Sequence, residues 1–279
     1  MHVKFHTDPT TFEARVLSLL RERVAENNIM LGGIRKLAAQ YGHALPETET
    51  PMLCTVEDGD ALIGVALQMG PWPLSLSRQP LEAVQALAAA VADVGRAIPF
   101  VVGPRDRAEQ FADVWQRTTG ASVASIRPLD LFELGALQDI VAPPGEPVVA
   151  TPDDFALVVR WEQAFESELG LPHADAESDM RDRIANQALL LWRDGETVAM
   201  AGFRDVLPDT ARVSLVYTPP HARRRGYAMG VVHALSERLV TSGKTHCFLF
   251  TDANDPGPNA LYPQIGYRRI DTFAEITFT

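Results

Sequence analysis

Val213-Ser-Leu-Val-Tyr-Thr-Pro-Pro-His-Ala-Arg-Arg-Arg-Gly-Tyr-Ala-Met-Gly-Val-Val-His-Ala-Leu235 is the stretch on which the reading of this chain turns. Val213 to Val216 are largely apolar or β-branched and suit a buried strand, which Pro219-Pro220 cannot prolong. Ala228, Val231, Val232, Leu235 and Leu239 recur at helix-face spacing, so a helix begins near Arg225 or Gly226. The first amides of a helix lack internal partners, and the helix dipole places partial positive charge there. Three consecutive arginines at such an end are unfavourable unless an anion sits among them. Gly226 and Ala228 let a bulky anion approach the backbone, and Arg223 and Arg225 add charge-assisted donors. The ligand this geometry suits is a pyrophosphate.

With those residues in view, Arg223-Arg224-Arg225-Gly226-Tyr227-Ala228 resembles the Arg/Gln-x-x-Gly-x-Gly/Ala motif of the GNAT superfamily of N-acetyltransferases. The resemblance implies acetyl-CoA as co-substrate, with Val216, Tyr217 and Thr218 beside its pantetheine arm and Arg223 through Ala228 around its pyrophosphate. Arg224 stands where relatives often carry glycine, and is expected to strain the loop or reach the CoA 3′-phosphate. A second ordered element, Asn259-Ala-Leu-Tyr-Pro-Gln-Ile-Gly-Tyr267, resembles the family's Asn-x-x-Tyr-x-x-x-Gly-Phe/Tyr ending. By that resemblance Tyr262 protonates the departing CoA thiolate and Asn259 reaches the pantetheine. Pro263 departs from the pattern, because proline within a short helix removes a donor and can shift the tyrosine.

The chain has 279 residues, more than one ordinary core needs, which points to two domains. Its net charge of −11 opposes nucleic acid as a partner, since phosphate backbones need a broad basic surface. No run is long and apolar enough for a membrane span, and the start lacks a signal-peptide core, so a cytoplasmic protein is expected. Cys54 and Cys247 lie in apolar runs and read as buried thiols. The histidines show no ligand spacing, so no metal is expected.

A repeat organises the remainder. Asp58-Gly59 and Asp194-Gly195 each join two strand-like runs, at 52–67 and 189–203. After the first hairpin the pattern gives a helix over 80–94, a strand at 100–102, a helix over 105–117 and a strand over 121–134. After the second come a helix over 226–242, a strand over 246–251, a helix over 256–264 and a strand over 267–278. Two amphipathic helices, 9–26 and 27–40, precede the first hairpin; helices 152–169 and 176–187 precede the second. The expectation is an α/β (α+β, mixed-sheet) protein with two tandem GNAT-like folds: a degenerate domain over 1–141, a linker at 142–147 and a catalytic domain over 148–279. The first copy has Leu74-Ser-Leu-Ser-Arg-Gln-Pro-Leu81 where the phosphate loop belongs, with no glycine, and is expected to serve as a wall rather than a site.

Glu162 and Glu166 share a helix face, where a carboxylate can accept a proton from an attacking ammonium; taken singly, each also fits a solvated acidic face. No serine or cysteine sits in a nucleophile elbow, which favours direct attack of an amine on the thioester. The expected function is acetyl transfer from acetyl-CoA to a primary amine of a small molecule or peptide, by a monomer or homodimer. The alternative is a non-catalytic acyl-CoA-binding or sensor module.

Overall fold

The structure, a computed structural model, describes residues 1–45, 51–70, 72–170 and 175–279. It divides into two compact units, the first made of Met1–Leu131, Thr251–Asp255 and Ile270–Thr279, the second of Phe132–Phe250 and Pro256–Arg269. These packing units are not the contiguous halves of the sequence repeat, because the last ten residues pack with the first unit.

The first unit runs β1 (His2–His6), α1 (Pro9–Arg21), α2 (Asn28–Tyr41), β2 (Met52–Asp58), β3 (Ala61–Gln68), β4 (Leu74–Leu76), α3 (Leu81–Asp93), β5 (Phe100–Pro104), α4 (Arg105–Thr119) and most of β6 (Val123–Leu134). Asp8 caps α1 by accepting from the Thr11 amide at 2.9 Å, with Pro9 preset for the first turn. Gly59, at φ +58°, makes the β2–β3 turn the sequence anticipates. Pairing is antiparallel from β1 through β4 and parallel between β4 and β5. Leu87, Val91, Phe111 and Trp115 of α3 and α4 pack on Cys54, Leu74 and Val101 of the sheet. Phe111 is fully buried, and truncating it to alanine costs about 3–5 kcal/mol.

In the second unit the order is β7 (Glu146–Val149), α5 (Phe155–Leu169), α6 (Ala176–Ala185), β8 (Leu189–Asp194), β9 (Glu196–Leu207), β10 (Thr210–Tyr217), α7 (Tyr227–Thr241), β11 (His246–Asp252), α8 (Pro256–Ile265) and the start of β12 (Tyr267–Phe278). Strands β7 to β10 pair antiparallel and β10 pairs parallel with β11, so β8–β11 repeat the pattern of β2–β5. The continuous apolar run Leu189–Trp192 is explained by burial on both faces: Leu190 and Trp192 pack toward α7, Leu189 and Leu191 toward α5 and α6. Gly170, at φ +62°, ends α5, and Asp175 caps α6 by accepting from the Ser178 amide at 3.0 Å. The expected linker is partly strand, since Glu146 and Pro147 begin β7 on β8. The rest of β12 returns to the first unit, where Phe273–Thr277 pair antiparallel with Phe100–Pro104 of β5.

Candidate active site

Strand β10 carries the site because it stops behaving as a regular strand. It pairs with β11 only from Thr210 to Arg212, opposite His246 to Phe248, although both strands run further. Between Ser214 and Tyr217 its register with β9 also shifts, and Leu215 adopts φ +56°. A bulge with a left-handed leucine bends the strand, and the two parallel strands part. Val213 to Tyr217 therefore lack the β11 ladder, leaving a slot beside a backbone edge. At its end the Thr218 hydroxyl is buried without a hydrogen-bond partner among the described residues.

The strand leads into the arginine loop. Gly226, at φ +84°, precedes α7, and neither a side-chain cap nor an acidic first-turn residue satisfies that helix end. The amides of Tyr227 and Ala228 thus have no side-chain cap, with the dipole behind them. Arg224 sits at φ +64°, a conformation that glycine takes freely, which is the strain expected where relatives carry glycine. Its side chain and that of Arg225 are exposed. Arg223 is placed differently from a free anion donor: its guanidinium bonds both carboxylate oxygens of Glu168 at 2.7 Å, donates to the Thr218 carbonyl at 2.8 Å and lies over the Tyr217 ring. It braces the loop to α5. The Tyr217 ring packs on Trp161, and the Tyr227 ring enters the core with its hydroxyl on Asp194 at 2.6 Å, so both residues offer the site backbone rather than side chain.

Helix α8 continues through Pro263, which removes the amide that would bond the Asn259 carbonyl without ending the helix. Tyr262 is buried, its ring between Phe132 and Tyr267, and Asn259 is half-buried one turn earlier.

On the other face of the sheet, Glu162 is buried at 6% exposure, with Oε2 lacking a partner among the described residues. Burial, and then the neighbouring Asp179 carboxylate, push its carboxyl up to about 8. Although burial opposes it, Arg183 and Arg204 hold Asp179 below the usual carboxylate range. Arg183 donates to Asp179 at 2.8 Å, to the Phe203 carbonyl at 3.1 Å and to Ser214 Oγ at 3.3 Å. Gly202 makes room for it, since a Cβ there would lie 2.6 Å from Nη1. Glu166 is buried on the same helix face, while Glu168 holds Arg223. Sequence reading missed this network: Asp179 and Arg183 are an i, i+4 pair on α6, but Arg204 and Ser214 join them from two other elements with no shared spacing. A groove of about 510 Å³ lined by Pro147, Val149, Leu190 and Ala234 lies at the opposite end of α7 and is not part of the site.

Comparison with known proteins bears on the fold. Residues 191–275 match the family model described as FR47-like protein. The structure is similar to a GCN5-related N-acetyltransferase from Sphaerobacter thermophilus, at 15% identity and TM-score 0.63 over 98% of this chain and 94% of that one. A GNAT-family acetyltransferase from Colwellia psychrerythraea aligns at 12% identity and TM-score 0.59 over 100% of both chains. A tandem GNAT protein from the clavulanic acid biosynthesis pathway aligns at 14% identity and TM-score 0.57 over 99% and 98%. No curated protein sequence matches the chain. The fold is the GNAT fold in tandem. Among the described residues, no helix is long and apolar enough to cross a membrane, and no group of three or more His, Cys, Asp or Glu is placed to hold a metal.

Proposed function

We propose that this protein transfers an acetyl group from acetyl-CoA to the primary amine of a small molecule or peptide, in the second unit alone. The observation that carries the reading is the parting of β10 from β11 after Arg212, directly ahead of a loop that presents uncapped helix amides. A slot beside free strand backbone suits a pantetheine arm, and the α7 terminus suits a pyrophosphate. The buried, unpartnered Thr218 hydroxyl at their junction fits the same occupant. That other proteins of this fold are described as acetyltransferases supports the assignment.

Bound acetyl-CoA supplies an activated acetyl thioester. Val216, Tyr217 and Thr218 border its arm, residues Arg223 to Ala228 its pyrophosphate, and Asn259 the pantetheine side. A backbone amide near Val216 stabilises negative charge on the carbonyl oxygen. Glu162, whose carboxyl is tuned toward the working pH, takes the proton of the incoming ammonium. The amine nitrogen forms its N–C bond as the C–S bond breaks. Tyr262 gives the sulfur a proton and is restored by one of the two protons the nitrogen loses, while the other leaves Glu162 for solvent.

Thiol release from acetyl-CoA with a panel of primary amines tests the reading. One acetyl-CoA site per chain by calorimetry, with amine-dependent thiol release, is expected. Binding without release for every amine would leave a binding module in its place.

A further inference from the structure

Arg212 lies on β10 two residues before Ser214 and directly opposite Arg204 of β9. Like charges facing each other across an antiparallel ladder repel. Arg183 of α6 is a third cation acting on the same group. Asp179 bonds two of the three, Arg183 at 2.8 Å and also Arg204, and acts on Arg212 only through space, without a hydrogen bond. The guanidinium of Arg212 has no hydrogen bond or ion pair among the described residues, although it is half-buried. Burial first, then Arg204 and Arg183, lowers its pKa to about 10. A half-buried cation facing two others weakens the fold unless an anion joins them.

Its position says which anion. Arg212 is the last residue of β10 in register with β11, opposite Phe248, and so stands where the strands part. Asp179 touches both sides of the cluster, Arg183 and Arg204 on one and the proton-bearing Glu162 carboxyl on the other. Arg204 keeps 39% of its side chain exposed, which gives the cluster a way in. One guanidinium without a bonded partner matches one carboxylate, which its planar fork grips through two parallel bonds.

We propose that the acceptor is an amine that also carries a carboxylate, of the α-amino acid class, with the carboxylate on Arg212 and Arg204 and the amine turned toward Glu162. The proposal rests on the acetyl-transfer reading above, and it adds the group that selects the substrate. A carboxylate lost from the acceptor leaves the arginines unanswered, so discrimination comes from the site's own desolvated charge.

The test follows CoA thiol release by the full chain with acetyl-CoA and matched pairs of L-amino acids and their α-amides. Acids are expected to exceed amides by about 10- to 100-fold in kcat/KM, mostly through KM. In Arg212→Met that ratio falls to near one, and Arg212→Lys restores part of it. Because an unanswered cation has been removed, Arg212→Met is expected to melt above the parent without ligand. Amides used as well as acids by the parent protein would overturn the proposal while leaving acetyl transfer intact. If neither set is acetylated, the acetyl-transfer reading fails by itself, and calorimetry with the amino acids alone decides this one: binding lost in Arg212→Met sustains it, and no binding overturns it.

Discussion

The two units carry the same connection, a strand leading through a short loop into a helix, and treat it in opposite ways. In the first unit β4 stays against β5: a Cβ on Gly103 would lie 3.0 Å from Leu76 Cβ, so the strands pack tightly where β10 and β11 part. Ser77 bonds back to Val65 through both its amide and its hydroxyl. Arg78 is gripped by Glu26 at 2.6 Å and Asp271 at 2.5 Å, with Asp106 at 3.8 Å. Gln79 fills the space over Gly64, and Glu82 supplies negative charge in the first turn of α3. In the second unit the corresponding helix end has no acidic residue and no side-chain cap, and a Cβ on Gly226 would meet only Pro143, at 3.5 Å. The lesson is that a shared fold supplies the connection, while the site requires that nothing in the chain complete it.

The comparison breaks most sharply at Gly226. Its φ of +84° excludes a β-branched side chain, so Gly226→Val is expected to abolish acetyl-CoA binding by calorimetry, whereas Ser77→Ala leaves it unchanged. Two equivalent sites per chain would erase the contrast between the units. Next in size is Tyr262→Phe, for which kcat is expected to fall about 10²–10⁴-fold with little change in acetyl-CoA affinity. An unchanged kcat, with chemistry rate-limiting, removes the proton-donor role but not the cofactor site.

Glu162 predicts a pH signature. As a base it works ionised, so kcat/KM should rise with pH through about 8, and Glu162→Gln should remove that limb with a roughly 10²-fold loss. The sign for stability is opposite. A carboxyl raised in the fold favours the folded state below its unfolded pKa, and that contribution is lost as pH climbs through the folded value. Melting temperatures measured between pH 6 and 9 should therefore decline more in the parent than in Glu162→Gln.

In the first unit, Arg78→Met strands two partly buried carboxylates and should lower stability by about 1–3 kcal/mol without altering acetyl-CoA affinity. The smallest effect is expected at Arg224. Arg224→Gly relieves the left-handed strain, a gain partly cancelled by unfolded-state entropy, and should reduce the preference for acetyl-CoA over its 3′-dephospho form severalfold. An unchanged preference would assign the 3′-phosphate to another residue.

How legible this was depended on range. The loop from Thr218 to Ala228 is local, and its prolines, arginines and glycine announce strand end, anion and helix start within one stretch. Helix 226–242 appears as Tyr227–Thr241, and strand 267–278 appears with those bounds. Short or exposed strands were not visible: β1 alternates weakly and is mostly exposed, β4 has three residues, and β7 contains Pro147 within an apparent linker. The Asp179 and Arg212 cluster was invisible for another reason. Its members meet only after α6, β9 and β10 are assembled, and no spacing in the chain encodes that.

The pairing of Phe273 with Pro104 also orders events in time. A ribosome that has released β5 must continue through the whole second unit before the strand that covers β5 exists. At 5–20 residues per second that is a wait of about 10–30 s. Through that interval the nascent first unit holds an apolar strand with an unsatisfied hydrogen-bonding edge, the kind of surface that recruits other chains. The unit that comes off the ribosome first is thus the one that finishes last, and its yield depends on what shields that edge until translation reaches Phe273.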